Sequence, residues 1–212
     1  PIPYYRFKLT ANYESSLHKE TTMANQSTTG FGLRPLRKVG QNDNNAGLGE
    51  FQVAASATAI YHNDPVLLAG SGYVTIGVAG PVVNYVGSFN GAFYTDPSTS
   101  KPTWKNYLPS TAAIADVLIN SDPQQMFEVR TASATPGRAS IGGTADVVIT
   151  AGVTPNWVSG STMSGTVATS VSNPLKVIGI SRDTLNQDTT VAGCVYRVML
   201  NAHILGNNVA GI

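Results

Sequence analysis

Short apolar segments with a two-residue alternation recur along the whole chain and are separated by turn residues. In the first of them, Phe51 and Val53 alternate with Gln52 and Ala54, a spacing that places successive side chains on opposite faces of a strand. The segments are residues 50–61, 73–80, 82–89, 116–120, 126–132, 146–152, 175–182 and 194–205. Because no window of ten or more residues has helical spacing, the sequence predicts an all-β fold, an antiparallel sandwich or jelly-roll-like barrel with little helix.

The sequence does not specify the structure of the connections between these segments. Residues 94–113 contain three prolines together with Trp104 and Tyr107, and aromatic side chains in such a loop favour a subunit contact over a ligand site. Residues 158–174 are rich in Ser, Thr and Gly, which is typical either of a disordered segment or of an exposed hairpin. The alanines before Asp116 permit a short helix.

The chain divides into three parts. Lys19-Glu20 can be encoded by a purine-rich ribosome-binding sequence placed before Met23, so we interpret residues 1–22 as an upstream-translated segment or a disordered leader. Residues 23–49 then form an extended N-terminal arm, and residues 50–212 form the β-rich body. The alternative is that residues 1–22 are a genuine N-terminal arm.

A basic cluster lies within the predicted arm. Arg34, Arg37 and Lys38 stand close together in a chain with only 12% charged residues, flanked by flexible Gly-rich and Asn-rich stretches. One interpretation is an arm that contacts another protein surface and is dispensable for folding of the body. The other is a solvated edge strand whose charges prevent aggregation.

Composition and motifs argue against catalysis and against several kinds of partner. The chain carries 13 basic and 12 acidic residues, and such a near-neutral balance gives no electrostatic reason to bind nucleic acid or an anionic membrane. The single cysteine, Cys194, lies in a strand-like setting that favours a buried hydrophobic role. No nucleophile, phosphate-binding or metal-ligand motif is present, so we expect no enzymatic activity, no cofactor and no bound metal.

Several stretches resemble one protein family. They are "GFGLRPLRKVG" from Gly30, "YHNDPV" from Tyr61, "GSFNGAFYTDPSTSKPTWKNYLP" from Gly87, "DPQQMFEVR" from Asp122, "LKVIGISRD" from Leu175 and "NAHILGNNVAGI" from Asn201. Together these stretches resemble the head decoration, or cement, proteins of tailed bacteriophages from aquatic samples. The resemblance covers residues 30–212 almost continuously.

The resemblance implies a β-rich homotrimer, made in the bacterial host cytoplasm and located in the virion on the outer capsid surface. There it would bind the major capsid protein and clamp neighbouring subunits, with Arg34, Arg37 and Lys38 as possible capsid contacts. The alternative function is that of a tail or fibre protein or a carbohydrate-binding adhesin of a phage. A sugar-binding module needs an exposed aromatic platform, for which Trp104 and Trp157 are the candidates.

Overall fold

The described part of the chain folds almost entirely into antiparallel β-structure, as the sequence predicts. A computed structural model describes residues 27–39, 48–55, 57–81, 84–183, 186, 188–201 and 203–206. The strands are β1 (Arg34–Lys38), β2 (Leu48–Val53), β3 (Pro65–Leu68), β4 (Val74–Ile76), β5 (Tyr85–Thr95), β6 (Pro102–Lys105), β7 (Ala115–Asn120), β8 (Gln125–Arg130), β9 (Thr144–Val148), β10 (Thr162–Ala168), β11 (Leu175–Ile180) and β12 (Val195–Leu200). The helical content of these ranges is one 3-10 turn, Gly137–Ser140.

Sheet 1 contains β1, β8, β12, β11, β9 and β10, in that order. Alternate side chains of its central strands are buried, including Phe127 and Val129 on β8 and Tyr196 and Val198 on β12. Burying a Phe or Val side chain of this kind contributes roughly 1.5–3 kcal/mol. The inner face of sheet 1 therefore forms a continuous hydrophobic core.

Sheet 2 contains β2, β7, β5, β3 and β4, in that order, and β6 pairs with the C-terminal half of β5. Its inner face forms a second core, to which Val53, Phe89, Val117 and Ile119 contribute fully buried side chains. The outward-facing positions of β2 and β7 are polar or exposed apart from the half-buried Leu118. This alternation leaves one face of the sheet open to solvent.

The two cores share two strands. Val66 on β3 and Val86 on β5 belong to the second core, whereas the neighbouring Leu67 and Tyr85 belong to the first. The hydroxyl of Tyr85 donates a hydrogen bond to the carbonyl of Val78 at 2.6 Å, which satisfies its polar atom. β3 and β5 consequently join the two halves of the body.

Part of the predicted arm belongs to the body. Leu33 is fully buried, and its amide donates to the carbonyl of Asn63 at 2.8 Å. Gly32 has a φ of 72° and lies so close to Asn63 that a side chain at this position would overlap that carbonyl. The segment then continues as β1, the edge strand beside β8, which is the arrangement of the alternative interpretation. The predicted leader 1–22, Met23 and residues 40–47 of the arm lie outside the described residues.

Two loop expectations are resolved. Within residues 158–174, β10 pairs with β9, so the exposed hairpin is formed in preference to a disordered segment. The short helix before Asp116 is not formed. In its place Ala112 donates its amide to the carbonyl of Pro109 at 3.1 Å in a turn, and β7 begins at Ala115.

Candidate functional site

The basic cluster of β1 is partly neutralised within the molecule. Arg34 forms an ion pair with Glu128, whose side chain is only 8% exposed. The hydroxyl of Ser181 donates to the same carboxylate at 2.6 Å. The Arg34 guanidinium also lies 4.9 Å from the centre of the Phe31 ring. Arg34 is thus held by contacts inside the protein.

Lys38, like Arg34, has an ion-pair partner within the protein, whereas Arg37 has none among the described residues. Lys38 pairs with Asp122, and the hydrogen bond from Lys38 lowers the pKa of that carboxyl. Arg37 is exposed, and within the described ranges it has no ion pair or side-chain hydrogen bond. Of the three predicted contact residues, Arg37 is therefore the one whose charge has no ion-pair partner in the described part of the chain.

Arg37 lies beside two further arginines in a surface depression. Its lining residues are Leu36, Arg37, Met126, Arg182 and Arg197, and we call this surface the basic depression. They come from β1, from β8, from the residues that follow β11, and from β12, and these strands are neighbours in sheet 1. A second depression shares Arg182 and Arg197 and is also lined by Arg138 and Asp183.

Strand pairing fixes the position of Arg197. On β12 it lies opposite Glu128 of β8 on one side and Gly179 of β11 on the other. Among the described residues, no atom outside Gly179 and its chain neighbours lies within 4 Å of the position that a Cβ atom at Gly179 would take. The Nε atom of Arg197 is buried and has no hydrogen-bond partner in the described part of the chain.

The chemistry of the basic depression suits an anionic partner. Each guanidinium presents several N–H donors in a planar fork that matches the two oxygens of a carboxylate. Neither Arg182 nor Arg197 forms an ion pair among the described residues. Three arginines that form no ion pair among the described residues therefore meet on one face of sheet 1.

Sequence reasoning did not find Arg182 and Arg197. They are far from Arg37 in the chain, and only the order of strands in sheet 1 brings the three together. The sequence did carry one signal, which is that Arg197 is a charged residue within an otherwise apolar strand. Such a residue is expected to face outward from the sheet.

The structure separates Trp104 from Tyr107, the two predicted subunit contacts. The ring of Tyr107 stacks on Trp157 with centroids 3.9 Å apart and planes 7° apart, and the ring centroid of Tyr61 lies 6.1 Å from that of Trp157. These three side chains join separate loops. Trp104, in contrast, is 49% exposed.

Burial shifts the pKa of three titratable side chains in the described part of the chain. Cys194 is fully buried, and burial raises the pKa of its thiol, which disfavours the nucleophilic thiolate. Burial lowers the pKa of His203. Burial also raises the pKa of Asp64 to about 6, while one of its oxygens accepts the Tyr61 amide at 2.7 Å.

Among the described residues, no group of three or more His, Cys, Asp or Glu side chains is arranged to hold a metal ion. The same residues include no helix with the length and hydrophobicity needed to cross a membrane. Comparison with protein families, curated proteins and solved structures gives no match for the chain.

Proposed function

We propose that the protein is a virion structural protein that binds the outside of an assembled phage capsid and clamps neighbouring capsid subunits. The observation that carries this proposal is the basic depression, in which Arg37, Arg182 and Arg197 form no ion pair among the described residues. The sequence resemblance to phage head decoration proteins supports the same function.

The mechanism rests on complementary charge between two protein surfaces. Carboxylates on the major capsid protein would accept paired hydrogen bonds from the arginines, and such charge-assisted contacts are stronger than neutral ones. They also fix the orientation in which two surfaces meet. The strand framework around the depression holds the arginine backbones in place before binding, which reduces the entropy lost on docking.

A homotrimer would multiply this contact. Three depressions related by three-fold symmetry act together, because the first contact raises the effective concentration of the other two. Binding the assembled shell in preference to free subunits then stabilises the shell in proportion to the difference in affinity. Light scattering of the isolated protein tests the trimer, and a monomer at micromolar concentrations would contradict it.

Binding to capsids that lack the protein tests the function. The variant Arg37→Ala/Arg182→Ala/Arg197→Ala should bind at least tenfold more weakly than the wild type, and its binding should depend less on salt because fewer charges are paired. Lys101→Ala is the matched control. Lys101 is exposed in the connection between β5 and β6, and its removal takes away one positive charge outside the depression.

Two outcomes would contradict the proposal. Failure of the wild-type protein to bind capsids would remove the function itself. Equal binding by the triple variant and the wild type, with unchanged circular dichroism, would show that the basic depression is not the contact surface.

A further inference from the structure

A row of four side chains crosses the open face of sheet 2. Gln52 on β2 lies opposite Asp116 on β7, Asp116 lies opposite Phe93 on β5, and Phe93 lies opposite Trp104 on β6. Directly paired residues in a sheet point to the same face. The row thus runs from an amide and a carboxylate at one end to two aromatic rings at the other.

The aromatic end of this row is exposed. Phe93 is 50% exposed and Trp104 is 49% exposed, although each ring is large enough to favour burial. Both rings line a groove of about 470 Å³, whose floor and rim also include Glu50, Asp116 and Leu118. We call this surface the aromatic groove.

A glycine positions the Trp104 ring. The indole lies over Gly91 of β5, and a Cβ atom at that position would stand 2.8 Å from Trp104 Cη2. The absence of a side chain on β5 therefore creates the space that the ring occupies. An indole supported in this way is held in place before any ligand arrives, which lowers the entropic cost of binding.

The polar end of the groove is also preorganised. Gln52 Nε2 donates a hydrogen bond to Asp116 Oδ1 at 3.0 Å. Glu50, Gln52 and Asp116 are all exposed, and neither acid forms an ion pair within the described residues. The remaining carboxylate oxygens accept hydrogen bonds, and the amide offers both a donor and an acceptor.

We infer that the aromatic groove is a carbohydrate-binding site, with a pyranose ring stacked on Trp104 and its hydroxyl groups bound by Asp116, Gln52 and Glu50. The C–H face of a sugar ring is apolar and slightly positive, so it packs against the negative face of an aromatic ring. Sugar hydroxyls both donate and accept hydrogen bonds, which matches an amide beside carboxylates. An aromatic surface with a few convergent polar groups is the usual composition of a small-ligand site.

This site is separate from the basic depression, since one lies on sheet 2 and the other on sheet 1. The inference does not depend on capsid binding. A protein that binds capsids but no sugar would contradict this inference alone. A protein that binds sugar but no capsids would contradict the proposed function alone.

Tryptophan fluorescence provides the test, because the chain contains two tryptophans. In Trp157→Phe, Trp104 becomes the sole indole reporter. Titration with cellohexaose, chitohexaose, maltohexaose and galactan oligosaccharides should give a saturable change with at least one probe, with a Kd of about 1 mM or tighter. Calorimetric titration of the wild-type protein with the same probes gives an independent reading.

Substitutions then assign the site. Trp104→Ala should abolish binding of that probe, and Asp116→Asn should weaken it about tenfold, equivalent to roughly 1.4 kcal/mol. Val171→Ala is the matched control, since it shortens an apolar side chain that is 84% exposed on another part of the surface. This variant should bind as the wild type does. If Trp104→Ala does not fold, Asp116→Asn and Gln52→Ala carry the same comparison.

Sedimentation velocity separates a sugar site from a contact between copies of the chain. The inference is overturned if no probe gives a saturable response up to about 10 mM, roughly ten times the expected Kd. It is also overturned if Trp104→Ala reduces the oligomeric state, which would make Trp104 the subunit contact that the sequence predicts.

Discussion

Arg34 on the edge strand β1 and Glu128 on the neighbouring β8 lie directly opposite each other and form an ion pair. The pair divides the basic cluster into two kinds of cation. Arg34 compensates a largely buried carboxylate inside the molecule, while Arg37 has no internal partner among the described residues. Arg34 is therefore expected to matter for stability, and Arg37 for the proposed docking to the capsid.

Arg34→Ala is expected to lower the free energy of unfolding by about 1–3 kcal/mol, because the Glu128 carboxylate stays largely buried and loses a charged hydrogen-bond partner. Arg37→Ala should change it by no more than about 0.5 kcal/mol, since the side chain is solvated. Urea unfolding of both variants measures the difference. Equal effects would contradict the division of roles.

Stability should depend on pH through Asp64. Burial raises its pKa from 3.8 to about 6, so the folded state binds this proton more tightly than the unfolded state does. The contribution of Asp64 to the free energy of unfolding is therefore largest below pH 3.8 and falls as the pH rises to about 6. Asp64→Asn keeps an acceptor for the Tyr61 amide and removes the titration.

The stability of Asp64→Asn relative to the wild type should thus increase across that window by up to about 3 kcal/mol. Chemical unfolding of both proteins between pH 4 and pH 7 measures the change. Parallel curves would show that this carboxyl does not titrate abnormally.

Gly91→Ala is expected to displace the Trp104 ring, because the added methyl group occupies the space beneath the indole. The free energy of unfolding should fall by about 1–3 kcal/mol, as for other overpacked positions, and the fluorescence of Trp104 should shift. Gly179→Ala is the matched control, since nothing lies within 4 Å of the new atom. A similar loss of unfolding free energy in both variants would show that backbone strain, and not contact with the indole, causes the effect.

The stacked rings of Tyr107 and Trp157 should be energetically coupled. A double-mutant cycle with Tyr107→Leu and Trp157→Leu is expected to give an interaction energy of about 0.5–1.5 kcal/mol. The same cycle with Tyr107 and Trp104 should give no more than about 0.3 kcal/mol, because Trp104 lies over Gly91 instead. Coupling of the second pair equal to that of the first would show that Tyr107 does not interact selectively with Trp157.

Alternating apolar residues predicted most of the strands, and two of the strands that they missed, β3 and β6, share a feature. β3 and β6 begin at Pro65 and Pro102, and proline within a short apolar run argues against a strand. Proline is nevertheless tolerated at the first position of a strand, which is where both residues lie. β5 continues beyond its predicted end at Phe89 because the register shifts near Gly91, where a bulge carries the strand onward.

The surfaces were harder to predict than the strands. Arg34, Arg37 and Lys38 stand together in the sequence. The acids that pair with two of them, Glu128 with Arg34 and Asp122 with Lys38, come from a distant segment. The basic depression and the aromatic groove each depend on strand order and register, which a two-residue periodicity does not specify. Local pattern thus predicted the class of fold, whereas the two candidate surfaces could be found only from the pairing of the strands.

The sharing of β3 and β5 between the two cores has a consequence for how the body resists disruption. Leu67 and Tyr85 belong to one core, and Val66 and Val86 to the other. Withdrawal of either strand would expose apolar side chains of both cores to water at once. The two sheets should therefore lose their structure in one cooperative transition, so that neither can open alone as a separate subdomain.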